Sequence, residues 1–139
     1  MGIVLSVQVA PVKGIEKQAV QQVKAVKNWG LENDAHAGTG DRQVSIFPIE
    51  ALAKVPLEKQ IEVNTGLYTE NITISGIPLD QLSVDRQIRI GDDTIIQIKH
   101  IGKEVHKDYN RPYIISREGR FGVVLQGGII KKNDHVELV

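Results

Sequence analysis

A chain of 139 residues, 41% apolar but only 4% aromatic, has room for one domain spanning residues 1–139, built on an aliphatic, β-branched core that favours sheet. Seventeen Lys and Arg balance seventeen Asp and Glu, so no overall field draws the chain to nucleic acid or anionic lipid, and any anion site must be local. The absence of cysteine excludes disulfides, thiolate metal sites and thiol nucleophiles, and fits a reducing compartment.

In chain order, MGIVLSVQVAPVKG has no positively charged leader and too short an apolar run for a signal peptide. No stretch nears the roughly 20 apolar residues of a spanning helix, so a soluble, cytoplasmic protein with no membrane partner is expected. IVLSVQVA reads as a strand ended by Pro11 and Gly14. AVQQVKAVKNW fits a helix face through Val20, Val23 and Val26, or a half-buried strand; strand is favoured because the segment runs uncapped into GLENDAHAGTGD, which is full of turn residues. RQVSIFPIEALAKV predicts a strand feeding a short helix, with Pro48 in the first helical turn and Glu50 complementing its dipole. IEVNTGLYTENITISGIPLDQLSV has strand-like stretches broken at Gly66 and from Gly76 to Pro78. RQIRIGDDTIIQIKHIG is the clearest hairpin, and GVVLQGGIIKKNDHVELV gives two aliphatic runs separated by Gly127 and Gly128, then a closing strand. Many short strands between glycine turns, with one or two short helices, predict a mainly β, barrel-like fold.

Several constellations could carry chemistry. Asp34 and His36 lie two apart, so on extended backbone they would face the same way, and a carboxylate can fix the tautomer of an imidazole. The plainer alternative is a turn cap at Asp34 beside an exposed His36. Glu70 and Asn71 stand where a glycine turn enters a strand; Asn71 could read an amide-like edge and Glu70 could pair with a cation, or both could satisfy local backbone. Arg42 and Glu50 offer either substrate contact or an ion pair with each other. In GKEVHKDYNRPYIISREGRFGVVLQGG, the alternating Glu104, His106 and Asp108 could ligate a metal, but alternate polar residues more often mark a solvated strand face. No metal site is therefore assigned. The excess of Lys and Arg there, with Arg111, Arg117 and Arg120, points to an anion pocket.

The blocks GLENDAHAG, RQVSIF, YTENITISGIPLDQL, IGDDTIIQI, IGKEVH and REGRFGVVLQGGIIKKNDHVEL resemble, in order and spacing, those of MOSC domains, named after the C-terminal region of molybdenum cofactor sulfurases. The resemblance runs from about Ile3 to Leu138 and is to the small stand-alone bacterial type. It implies a MOSC-like β-barrel and a pocket for the molybdenum cofactor, a pterin (molybdopterin) that carries a dithiolene and a phosphate; no pyridoxal phosphate site is implied. Carried over by position, the pocket residues are Asp34, His36, Arg42, Glu50, Glu70, Asn71, Lys103, Arg117 and Glu118.

The departures from the family pattern bear on chemistry. Relatives tend to carry cysteine within Gly-Lys-Glu-Cys-His and at two later places; this chain has Val105, Tyr109 and Tyr113 there, and IISREG replaces a Met-Pro run. Persulfide transfer needs an oxidisable thiolate, which neither valine nor tyrosine supplies. Asn33 and Asn133 stand where the family often has Gly, and asparagine tolerates the left-handed backbone such turns demand.

Three readings compete. A cysteine-free module could bind the cofactor or a related anionic ligand, with a molybdoenzyme or a cofactor-biosynthesis protein as partner. An enzyme could use bound molybdenum, or His36 with Asp34, in place of a thiol, which turnover of an N-hydroxylated or oxyanion substrate would reveal. An interaction protein could keep the pocket vacant. Nucleic acid fits poorly, since single-strand binders combine a basic groove with stacking aromatics and this chain has one Trp, two Phe and three Tyr. On the binding reading, Arg42, Asn71, Lys103 and Arg117 supply donors, His36 orients or protonates the anion, and replacing Arg42 or Asn71 by Ala is expected to leave stability near wild type.

Overall fold

The fold follows from strands whose alternate side chains turn into one aliphatic core. In the computed structural model, residues 1–12, 18–54, 70–102 and 118–139 are described. The strands are β1 (Gly2–Val9), β2 (Gln18–Val20), β3 (Gln22–Val26), β4 (Gly30–Leu31), β5 (Val44–Pro48), β6 (Ile72–Ser75), β7 (Gln87–Ile90), β8 (Thr94–Ile101), β9 (Arg120–Gln126), β10 (Gly128–Lys131) and β11 (His135–Leu138). In β7 and most of β8 every second residue is buried, the period-two pattern of a sheet with one face on a core.

Seven strands close into a barrel in the order β11-β7-β8-β9-β5-β6-β1, with β1 returning to β11. Closure leaves no exposed sheet edge in the ring. Strand β1 divides one of its edges: Gly2 and Ile3 pair with Val136 and His135 of β11, while Val7 to Val9 pair with β2. Its other edge takes β6, with a register shift between Val4 and Ser6. Among the described strands only β5 and β6 pair in parallel. A smaller sheet, β10-β3-β4, packs on the barrel and contributes Val23, Ala25 and Ile130 to the same core as Ile46, Ile72 and Ile98.

All five residues of β5 are buried because both of its faces are covered. Ile46 turns into the main core, whereas Phe47 joins a second cluster with Ala51, against Ile49, Leu52 and Leu79. The expected short helix is a 3-10 segment, Ile49–Lys54, and Pro48 ends β5 opposite Ile74 instead of opening the helix. A second 3-10 turn spans Leu79–Gln81. The runs on either side of Gly127 form β9 and β10 in different sheets. Among the described residues no helix is long and apolar enough to cross a membrane.

Candidate functional site

Four of the expected residues gather at the C-terminal end of β1. The Asp34 side chain is fully buried; Oδ1 accepts the Ala10 N–H at 3.1 Å and Oδ2 accepts the His36 N–H at 3.3 Å. Ala35 N–H donates to Ala10 O at 2.7 Å, so the turn is tied to the end of β1 from both sides. This is a turn cap rather than extended backbone, and the i to i+2 bond is the usual way aspartate shapes a turn. The cap also sets His36 Nδ1 at 3.9 Å from Asp34 Oδ2, with the imidazole 41% exposed. The plainer alternative, a turn cap beside an exposed His36, is the one the backbone adopts, although the carboxylate still lies near the imidazole.

Two residues back along β1, Gln8 reaches Asn71. The amide of Asn71 accepts Ser45 N–H at 3.0 Å and Ser45 Oγ–H at 3.1 Å through Oδ1, and donates through Nδ2 to Gln8 O at 3.1 Å. Its backbone N–H donates to Ser45 Oγ at 2.8 Å, and its carbonyl accepts Gln8 N–H at 2.7 Å. Asn71 thus staples β1 and β5 at the entry to β6. An amide so engaged is structural, and the expectation that Ala could replace it without loss of stability is corrected. Glu70, beside it, is fully buried.

Arg42 is exposed just before β5 and points elsewhere. Its guanidinium lies 4.7 Å from the Phe121 ring centroid, and Nη1 donates to Gly102 O at 3.3 Å. It does not pair with Glu50, whose carboxylate accepts the Gly76 N–H at 3.0 and 3.3 Å. The next residue, Gln43, is buried and accepts Val124 N–H at 3.0 Å through Oε1, which locks the start of β5 to β9.

Arg120 does not belong to an anion pocket. It is 4% exposed, and its donors are spent on Leu82 O, Leu79 O, Glu118 O and Glu118 Oε2. The guanidinium fork fits several backbone carbonyls at once, which makes Arg120 a clamp on the 79–82 turn. Lys103 and Arg117 lie outside the described residues, as do Glu104, Val105, His106, Asp108, Tyr109, Arg111 and Tyr113. Among the described residues, no group of three or more His, Asp or Glu is placed to hold a metal ion.

Sequence reasoning missed His100 and Asp41, whose Nε2 and Oδ2 lie 3.6 Å apart. Strict alternation would turn His100 inward with Ile96 and Ile98, but the register shifts between Ile98 and His100 and leaves the imidazole 41% exposed. A cavity of about 300 Å³ lies between β1, β2, β3 and the 32–33 turn, lined in part by Val9, Val20, Lys24 and Glu32; none of the expected site residues lines it.

No family model matches this chain, and no curated protein matches it. Solved structures do. The YuaD protein from Bacillus subtilis is similar at 18% identity over 99% of this chain and 96% of that one, with a TM-score of 0.74. YiiM from Geobacillus stearothermophilus is similar at 19% identity over 100% and 75%, TM-score 0.70, and YiiM from Escherichia coli at 18% over 99% and 69%, TM-score 0.66. The fold is MOSC-like. At these identities the likeness is one of fold, and the roles of individual residues rest on the geometry above.

Proposed function

We propose that this chain is a MOSC-like binding module for an anionic ligand, with the molybdenum cofactor (molybdopterin) or a related pterin as the ligand class, and that it performs no cysteine-based sulfur transfer. The observation that carries the reading is Arg42, an exposed guanidinium stacked on Phe121 with one carbonyl partner among the described residues, on a chain that has no thiol. Arginine in such a setting binds phosphate or another oxyanion through paired hydrogen bonds.

The cofactor fits in part. Its phosphate suits Arg42, whereas its metal end would find no thiolate anywhere in the sequence. The contacts to such a ligand are therefore to its phosphate and pterin. A molybdoenzyme or a cofactor-biosynthesis protein is the partner class this reading implies. A second reading, a non-catalytic interaction protein with a vacant pocket, is favoured by Asp34 and Asn71, whose polar groups are engaged by their own fold.

Mass spectrometry and metal analysis of protein purified from a molybdenum-replete host separate the two. Pterin in near-stoichiometric amount supports the binding module, and its absence supports the vacant pocket. On the first reading Arg42→Ala loses the pterin while its melting temperature stays close to wild type, since an exposed cation–π contact contributes only about 0.5–1 kcal/mol.

A further inference from the structure

Phe121 is the floor of a small polar cluster that no quoted motif contains in full. Its register partner across the ladder is His100, and directly opposed residues of an antiparallel pair project from the same face. The Arg42 guanidinium lies over the ring, and Phe121 is 4% exposed. Asp41, the residue before Arg42, brings Oδ2 to 3.6 Å from His100 Nε2, with the carboxylate side chain 68% exposed. That separation is too long for a direct hydrogen bond, so the pair is loose and can be parted. A guanidinium has five N–H donors, and among the described residues Arg42 has one hydrogen-bond acceptor, Gly102 O.

We propose that Arg42 and His100 form one oxyanion-binding patch across Phe121, with Asp41 as an internal counter-charge that the anion displaces from His100. The inference rests on the reading of this chain as an anion binder and adds to it a histidine and a tuning carboxylate. Stacking on Phe121 fixes the plane of the guanidinium, so its edge can meet two oxygens of a tetrahedral dianion, and the imidazole N–H supplies a third contact. The ligand class is a phosphate monoester, the terminal group of a larger molecule. Asp41 lowers affinity for anions by placing a like charge beside the position they take at His100.

The test is an NMR titration of the full chain with phenyl phosphate, and separately with sulfate, at constant ionic strength, following Arg42 Nε–H and the His100 ring signals. Both residues are expected to move on one saturation curve. Asp41→Asn should tighten binding roughly fivefold, the factor for removing one unit charge about 4 Å away in water. His100→Ala should weaken binding several-fold with an unchanged melting temperature, and Arg42→Lys should weaken it although the charge is kept. If Arg42 responds and His100 does not, or if Asp41→Asn fails to tighten binding, the patch is overturned while anion binding by Arg42 stands. Binding of sulfate but not phenyl phosphate overturns the assignment to an esterified phosphate. If neither residue responds, the patch is overturned, and the pterin content of purified protein decides the broader reading separately.

Discussion

Asn71 illustrates how much a single buried amide can hold. It satisfies Ser45 N–H, Ser45 Oγ and Gln8 O, all remote from it in sequence. Asn71→Ala strands these groups away from water, each at about 1–3 kcal/mol, so the urea midpoint should fall well below wild type. Arg120 has the same character with a charge added. Arg120→Ala leaves Leu79 O, Leu82 O and the Glu118 carboxylate without their donor, and a loss of about 3–5 kcal/mol is expected in chemical denaturation, the range for breaking a buried charged pair. Arg120→Lys should recover little of it, because a point charge cannot reach separate carbonyls together. Some single-residue features were legible in the sequence. Asn33 and Asn133, expected to take left-handed backbone, have φ of 61° and 74°. The commitments of Asn71 and Arg120 were not, because polar residues in a motif look alike whether they meet a ligand or a distant carbonyl.

Strands were the most legible elements, since the chain writes their burial with period two. The Gln87–Ile90 and Thr94–Ile101 pair and the closing His135–Leu138 strand stand where the apolar alternation puts them. Elements went astray where local pattern does not determine the partner. The runs flanking Gly127 look like a hairpin but enter different sheets, and the irregular step at His100 reverses which face it shows. Gly30 tests the small sheet. Its φ is 130°, and a Cβ there would sit 2.5 Å from Gln43 O and 3.2 Å from Ala37. Gly30→Ala therefore combines disfavoured backbone with a clash against the segment that leads from Arg42 into β5. A melting temperature several degrees lower is expected, with Gln43 amide exchange accelerated.

At the scale of the molecule, stability depends on closing the ring. Strand β11 joins β1 to β7, so deleting residues 135–139 would expose two edges and uncover the core around Val136 and Ile90. The truncated chain is expected to lose its cooperative thermal transition and to aggregate, which calorimetry and light scattering would show. Equal numbers of acidic and basic residues give the whole no field to gather polyanions, and filter binding at low salt is expected to show no retention of single-stranded nucleic acid.

The seam between β1 and β11 has a consequence for chain topology. Gly2 faces Val136 and Ile3 faces His135, so positions 1 and 139 emerge at the same end of the barrel, and the order in which the strands are threaded is separable from the way they pack. A circular permutant that joins Val139 to Met1 through a short glycine linker and opens instead in the turn at Gly91–Asp93 should fold to the same barrel. Its circular dichroism spectrum should overlay that of the parent.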